Sequence, residues 1–164
     1  MFETKRCFIN KLQKSNFDDV KKLYVDQKVR KFLGGVCDED SVNKLMDEML
    51  HSEGDSYNWI VKEKATGHFI GLVSLNPHHD GENLEISYQF LPEWWGQGYA
   101  SEVVQGVINF AFNDLNLLKV VAETQTANID SCKLLEKLGM KLEHKVVRFG
   151  AEQAIYSIQS SYNN

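Results

Sequence analysis

The stretch Trp95-Gly96-Gln97-Gly98-Tyr99-Ala100 is the part of the chain best suited to bind an anion. Apolar residues at helical spacing follow it and predict a helix from about residue 98 to 114. The two glycines therefore lie at a helix N-terminus, where main-chain N–H groups lack partners and the helix dipole is positive. Glycine also lets a ligand approach the main chain closely. The turn is suited to a pyrophosphate, although a tight strand-to-helix connection would show the same pattern.

A second polar group lies about thirty residues further on, where Asn128, Ser131 and Cys132 begin another helical pattern. Asn128 and Ser131 could contact a bound molecule, and they are also typical of a plain N-cap. Cys132 could be a nucleophile, but no histidine has an evident partnership with it. The adjacent His78 and His79 could suggest a metal site; because neighbouring loop side chains point in different directions, the sequence favours a solvated loop and no metal.

The elements that position these residues form a mixed α/β (α+β) pattern. Alternating or continuous apolar runs predict strands at 6–12, 57–61, 69–75, 84–91, 119–123, 140–149 and 153–158. Helices are predicted at 15–26, 38–51, 98–114 and after 128, with Ser15 and Asn128 or Asp130 as caps and Asp38 in the acidic first turn of the second helix. Strands 57–91 form an antiparallel meander. The strand at 119–123 runs parallel to its predecessor because a helix crosses between them, and a hairpin turning at Gly150 closes the chain.

Composition predicts one soluble domain over residues 1–164. Apolar residues make up 43% and charged residues 25%, with two prolines, as in ordinary globular domains. The net charge of −5 and the lack of a Lys/Arg block argue against a nucleic-acid partner. Cys7, Cys37 and Cys132 form neither a disulfide framework nor a zinc motif, which favours a reducing cytoplasm. An apolar leader and a long apolar window are both missing, so neither a signal peptide nor a membrane partner is expected.

Together the two stretches resemble the GNAT superfamily of acyl-CoA-dependent N-acetyltransferases, within it the branch that includes the RimJ and RimL ribosomal-protein acetyltransferases. The superfamily's coenzyme A pyrophosphate motif, Q/R-x-x-G-x-G/A, corresponds here to Trp95-x-x-Gly98-x-Ala100. Tryptophan departs from the usual first residue, and Trp-Gly-x-Gly-Tyr-Ala followed by Glu102 resembles a common variant of the RimJ/RimL-like branch. The resemblance spans nearly the whole chain. It implies the GNAT fold, a mixed, mostly antiparallel sheet with flanking helices, splayed between its fourth and fifth strands.

The resemblance also implies acetyl-CoA (coenzyme A) as cosubstrate and direct transfer to an amine acceptor in a ternary complex. In such enzymes the pantetheine arm lies in the splay and the pyrophosphate lies over the glycine turn. Asn128 falls where the family holds the pantetheine, and Ser131 falls near the thioester sulfur. The residues expected to bind the cosubstrate are Gln89, Phe90, Leu91, Trp95, Gly96, Gln97, Gly98, Tyr99, Ala100, Ser101, Asn128 and Ser131.

Aminolysis of a thioester needs a neutral amine, a stabilised oxyanion and protonation of the thiolate. Glu85 is the expected base, because some GNAT enzymes carry a catalytic glutamate on this strand; alternation makes a solvent-facing role equally consistent. A main-chain N–H near Phe90 to Leu91 is the expected oxyanion donor. Ser131 would act as a weak acid or position a water, with Tyr156 as a remote reserve.

The family's first two helices and their loop form part of the acceptor wall, so Phe32, Leu33 and Val36 are expected acceptor contacts. No motif identifies the acceptor: a protein N-terminus, a small polyamine or amino acid, and an aminoglycoside-like antibiotic all remain open, as do monomer and homodimer. Two other functions remain open as well. One is a catalytically silent acyl-CoA-binding regulatory module on the same fold. The other is a dinucleotide site, since residues 96–101 resemble a Rossmann fingerprint that lacks its third glycine.

Overall fold

The computed structural model describes residues 2–161. The strands are β1 (Phe2–Glu3), β2 (Cys7–Lys11), β3 (Tyr57–Glu63), β4 (Phe69–Pro77), β5 (Leu84–Phe90), β6 (Lys119–Gln125), β7 (Lys141–Arg148) and β8 (Ala151–Gln159). The α-helices are α1 (Phe17–Tyr24), α2 (Gln27–Arg30), α3 (Glu39–Leu50), α4 (Tyr99–Asn113) and α5 (Ile129–Lys137). The strands form one sheet in the order β1-β2-β3-β4-β5-β6-β8-β7.

The sheet divides at the junction of β5 and β6. These strands are parallel and pair only at Leu84 with Val120 and Glu85 with Val121, after which they separate. The other recorded strand pairs are antiparallel. This confirms the predicted GNAT fold; the splay lies between β5 and β6 because the two-residue β1 adds a strand that the sequence did not indicate.

Helices cover both faces of the sheet. Leu72 and Val73, neighbours in β4, belong to different buried clusters, as alternation along a strand requires. Val73 packs in the cluster that contains the apolar face of α4, and Leu72 packs in the cluster that contains α1 and α3. The glycine turn that precedes α4 is thereby attached to the larger core.

The first predicted helix is divided in the structure. Ser15 lies inside a 3-10 turn, and Asn16 precedes α1, so Ser15 is not the N-cap. The helix ends at Tyr24, and Asp26 then caps the separate α2 by accepting a hydrogen bond from the Val29 N–H at 3.0 Å. Asp38, predicted in the first turn of α3, is instead its N-cap and accepts a hydrogen bond from the Ser41 N–H at 2.8 Å. A carboxylate at Asp26 can cap a new helix, so the chain forms two short helices where the sequence predicted one.

The later predicted boundaries are close to those observed. Asn128 caps α5 by accepting a hydrogen bond from the Ser131 N–H at 3.2 Å. Phe149 and Gly150 form the turn between β7 and β8, both with positive φ, at 56° and 75°. None of the helices formed by residues 2–161 has the length and apolar character that crossing a bilayer requires.

Candidate active site

The main chain of β5 is exposed along the splay. The Leu91 N–H donates to the Ile70 carbonyl of β4 at 2.9 Å. Because main-chain groups alternate in direction along an antiparallel strand, the Phe90 N–H points to the opposite, open edge. The Phe90 carbonyl accepts a hydrogen bond from the Trp95 indole N–H at 2.8 Å, which places that ring beside the gap.

The expectation that Leu91 lines the gap is wrong. Its N–H is bound to Ile70, its carbonyl accepts from the Trp94 N–H at 3.0 Å, and its side chain is buried with α1 and α3. The donor that faces the gap is the Phe90 N–H, the first of the two expected positions. A one-residue difference reverses the direction of a strand's main-chain groups, and the sequence alone does not fix it.

Gln89 is also placed differently from the expectation. Its side-chain oxygen accepts a hydrogen bond from the Arg30 guanidinium at 3.1 Å, away from the open edge. Arg30 also donates to the carbonyls of Leu33 at 2.5 Å and Gly35 at 2.9 Å. Arg30, which the sequence did not single out, therefore connects the loop after α2 to β5.

The glycine turn presents main chain, as predicted. Gly96 and Gly98 have φ values of 74° and 83°, which side-chain-bearing residues rarely adopt. Gly98 is the N-cap of α4 and supplies no side-chain acceptor, so the N–H groups of Tyr99, Ala100 and Ser101 begin the helix without a side-chain cap. A Cβ at Gly98 would lie 3.3 Å from the Arg6 guanidinium. The turn thus fits an anionic group that binds main-chain N–H groups.

An ion pair holds this turn in place. The Arg6 guanidinium donates to the Gln97 carbonyl at 3.0 Å and to the Glu102 carboxylate at 2.8 Å, and it lies 4.0 Å from the centre of the Tyr99 ring. Glu102 also accepts from the Thr4 hydroxyl at 2.5 Å. Burial raises the pKa of Glu102, but the hydrogen bonds from Thr4 and Arg6 outweigh it and leave that pKa lowered. The sequence did not indicate this ion pair, because Arg6 and Glu102 are 96 residues apart in the chain.

The Tyr99 side chain does not face the ligand side of the turn. It is buried, and its hydroxyl donates to the Glu63 carboxylate. The Gln97 amide donates to the Glu93 carbonyl at 3.0 Å. The side chains of these two predicted cosubstrate residues therefore stabilise the turn, which leaves their main chain to meet a ligand.

Ser131 has a partner that the sequence did not reveal. Its hydroxyl lies 2.7 Å from the Tyr88 hydroxyl, which joins the first turn of α5 to β5. Burial raises the pKa of Tyr88 and keeps the phenol protonated. Tyr156, the predicted reserve acid, instead donates to the Glu136 carboxylate at 2.9 Å, and burial together with that bond raises its pKa.

Glu85 lies on the opposite face of β5 from Tyr88, because the two positions differ by an odd number. Tyr88 and Ser131 therefore lie on one face of the sheet and Glu85 on the other, with Glu85 and Tyr88 about 10 Å apart along β5. The main-chain N–H of Glu123 donates to the Glu85 carboxylate. Burial raises the pKa of Glu85 to about 7; the negative Glu123 adds to the rise and His78 opposes it.

A cavity of about 360 Å³ opens beside Glu85. Phe32, Leu33 and Phe149 contribute apolar walls, and Glu85 and Glu123 contribute carboxyl groups. The predicted contacts Phe32 and Leu33 thus share a cavity with the predicted base. Val36 is half exposed and is not among the residues that line this cavity. Phe149 is a contact that the sequence gave no reason to expect.

The histidine loop beside this cavity is not simply solvated. His78 is buried and lies 2.8 Å from Glu123 and 3.2 Å from Asp80. Burial lowers the pKa of His78, but the bonds to Glu123 and Asp80 outweigh it and leave the pKa raised. Arg148 adds a second cation, with Nε 3.6 Å from Glu123. Residues 2–161 contain no cluster of His, Cys, Asp or Glu that could hold a metal.

The chain belongs to the GNAT acetyltransferase family: residues 6–141 match the family described as the acetyltransferase (GNAT) domain. It is therefore an acyltransferase. An uncharacterized N-acetyltransferase, p20 of Bacillus licheniformis, is 31% identical over 148 residues, covering 85% of this chain and 82% of the relative. The spermidine N(1)-acetyltransferase of Vibrio cholerae is 26% identical over 133 residues, or 76% of each chain.

Solved structures share the fold. An acetyltransferase of the GNAT family from Bacillus anthracis has a TM-score of 0.85 at 22% identity, with 96% of each chain covered. Spermidine N-acetyltransferase from V. cholerae, in complex with CoA and spermine, has a TM-score of 0.82 at 20% identity, covering 97% of this chain and 99% of that one. The Rossmann alternative does not fit, because the described sheet has one parallel pair and no repeated βαβ units.

Proposed function

We propose that this protein transfers the acetyl group of acetyl-CoA to a primary amine, and that it belongs to the RimJ/RimL-like branch of its family. The observation that carries the proposal is the position of Glu85, a carboxyl group with a pKa raised to about 7, beside the strand gap on the face of the sheet opposite the Tyr88–Ser131 pair. A base with a pKa near the working pH is the most effective kind.

The main-chain N–H groups from Gly96 to Ser101 would hold the pyrophosphate, and the open edge at Phe90 would pair with the pantetheine arm. Both interactions use main chain, in agreement with the positive φ values of the two glycines. Trp95, whose indole is anchored to the Phe90 carbonyl, would cover that arm. Asn128 acts mainly by capping α5, which fixes Ser131 beside the gap.

Glu85 would accept the proton that the acceptor nitrogen loses during attack. The need for a base depends on the amine: roughly a quarter of an α-amine is neutral at pH 7.4, against about 0.1% of a lysine side chain. Bound acetyl-CoA supplies a thioester, whose C–S bond breaks as the N–C bond forms. The Phe90 N–H faces the open edge, where it can stabilise the charge on the carbonyl oxygen.

One of the Tyr88 and Ser131 hydroxyls donates its hydrogen to the other, so the hydrogen of the accepting hydroxyl can be donated to the departing sulfur. A free thiol has a pKa of about 8.5, so a weak donor is sufficient. The role of the acid that protonates the thiolate therefore falls to this pair and not to Tyr156, whose hydroxyl is bound to Glu136.

Calorimetric titration with acetyl-CoA tests the cosubstrate, with NADH and ATP as controls. We expect micromolar affinity for acetyl-CoA alone and a large loss in Gly98→Val, which adds a branched side chain at positive φ. Free-thiol release with an amine panel then tests turnover. Binding without any release would favour the silent regulatory module. Ser131→Ala should slow release while melting temperature is retained; full activity in that variant would remove Ser131 from the mechanism.

A further inference from the structure

We propose that the acceptor is a monoamine whose amino group is attached to an apolar body, and that a polyamine is a poor substrate. This rests on the proposed acetyl transfer and concerns the cavity beside Glu85. It departs from the spermidine acetyltransferases that share the fold. Two features of the cavity determine which amine fits: the side chains that form its walls, and the ion pairs that its carboxyl groups already make.

Three apolar side chains contribute to the walls that an acceptor body can contact, beside polar residues that include His79. Leu33 is 41% exposed and Phe149 is 71% exposed, yet both lie beside the same cavity, together with Phe32. They come from separate segments, the loop after α2 and the turn between β7 and β8. Exposed apolar side chains that converge on one cavity mark a surface that a ligand covers.

The second carboxylate of the cavity is already paired. The Glu123 side chain is only 5% exposed, and its two oxygens lie 2.8 Å from the His78 Nε2 and 3.6 Å from the Arg148 Nε, respectively. A further ammonium group on the acceptor would therefore meet a carboxylate that is already paired, with the Arg148 guanidinium beside it. This arrangement disfavours a second amino group.

Two cations lie on the segment that carries Phe32 and Leu33. The Lys31 ammonium lies 5.2 Å from the centre of the Phe32 ring, and the Arg30 guanidinium donates to the Leu33 carbonyl. Of the two carboxyl groups that line the cavity in the described part of the chain, Glu123 is held in ion pairs and Glu85 forms none within 4 Å, so Glu85 is the one that receives the proton of the single amine. One amino group at Glu85 and an apolar body against Phe149 match this pattern.

The volume limits the size of the body. At about 360 Å³ the cavity is at the small end of the range for ligand sites, roughly 300 to 1,000 Å³. Two sources share the required chemistry: a small aromatic or branched aliphatic monoamine, and a peptide N-terminus whose first side chain is apolar.

Steady-state thiol release at pH 8 with saturating acetyl-CoA tests the proposal. The panel is 2-phenylethylamine, a tripeptide amide beginning with Phe, the same peptide beginning with Gly, and spermidine. We expect kcat/KM for 2-phenylethylamine or the Phe peptide to exceed that for spermidine by about tenfold or more, the scale on which an apolar pocket discriminates. The better of the two apolar substrates identifies the source.

Spermidine as the best substrate would overturn this proposal and leave acetyl transfer intact. Release with none of the amines would refute the proposed function itself, and this proposal with it. The two failures are therefore distinguishable.

Variants locate the apolar contact. Phe149→Ala should raise KM for the best apolar amine about tenfold while acetyl-CoA affinity stays unchanged. Val147→Ala is the matched control, because Val147 is 82% exposed on β7 and lies outside the cavity lining. Arg148→Gln should raise kcat/KM for spermidine, because it leaves Glu123 with one cation fewer. An unchanged KM in Phe149→Ala would overturn the proposal.

Discussion

Replacing Glu85 by glutamine should change the pH dependence of acetyl transfer as well as its rate. The substitution keeps the size of the side chain and removes the group whose pKa burial raises to about 7. If Glu85 is the base, the variant loses roughly hundredfold or more of kcat/KM at pH 8, where about nine-tenths of the wild-type carboxyl is ionised.

The slope of the pH profile gives a sharper result. With an alkylamine acceptor whose pKa lies well above 7, wild-type kcat/KM depends on two ionisations below pH 7, those of Glu85 and of the amine. Log kcat/KM should therefore rise with a slope of about two below pH 7 and about one above it. In Glu85→Gln the slope should be about one throughout, since only the amine still titrates.

The same substitution should stabilise the fold at high pH. In the folded chain the pKa of Glu85 is raised from 4.5 to about 7, so the protonated form is favoured. Its ionisation lowers the free energy of unfolding as the pH rises from 4.5 to 7, by at most about 3.5 kcal/mol, taking about 1.4 kcal/mol per pH unit. Glu85→Gln should therefore be more stable than wild type at pH 8 and equally stable near pH 4.

The assay is thiol release detected with 4,4′-dithiodipyridine from pH 5.5 to 9, with urea unfolding at pH 4 and at pH 8. Glu82→Gln, an exposed carboxyl in the preceding loop, is the matched control and should leave slope and stability unchanged. A Glu85→Gln variant that keeps a slope of two and wild-type activity would refute Glu85 as the base.

Three further changes test the parts of the site that side chains hold in place. Arg30→Ala removes the hydrogen bonds from the guanidinium to the loop after α2 and to β5. KM for the amine should therefore rise severalfold in steady-state assays, while the acetyl-CoA affinity measured by calorimetry is retained. An equal loss of amine and acetyl-CoA binding would contradict a role for Arg30 on the amine side alone. Tyr88→Phe leaves the Ser131 hydroxyl without its partner, and kcat should fall up to about tenfold with little change in KM; an unchanged kcat would exclude the pair from thiolate protonation. Glu102→Gln weakens the ion pair with Arg6, so the melting temperature and the acetyl-CoA affinity should both fall at pH 7. Because a carboxyl group with a lowered pKa stabilises the fold only where it is ionised, the difference in melting temperature between variant and wild type should shrink as the pH drops below about 4.5. A difference that stays constant with pH would exclude the ionised carboxylate as its cause.

Local patterns predicted the helices and strands well, because apolar periodicity and caps depend on neighbouring residues. Asn128 was one of two caps predicted for α5 from type and position alone, and it does cap the helix; Asp38 was predicted in the first turn of α3 and is its N-cap, one residue earlier. The division at Asp26 was missed although an aspartate there is a sufficient signal for a new helix. The splay of β5 and β6 was predicted only through the family resemblance, since the absence of pairing leaves no mark in the sequence.

The contacts that complete the site are long-range and could not be read from the sequence. Tyr88 stands in its strand as one more apolar position, and nothing indicates that its hydroxyl meets Ser131, 43 residues away. The bond from His78 to Glu123 spans 45 residues and converts a loop histidine into a buried ion-pair partner. The error at Leu91 has a different origin: the direction of a main-chain N–H depends on strand register, which no side chain reports.

The glycine turn and the proposed acceptor cavity differ in the kind of atom that each presents. The turn presents peptide groups, which substitutions outside its glycines leave in place unless they introduce proline, whereas the apolar walls of the cavity are side chains from two surface loops. Mutations in these loops can therefore alter the cavity without altering the main-chain groups of the turn. Retargeting by design would begin at residues 31–36 and at the turn around Phe149, leaving the core and the glycine turn as they are.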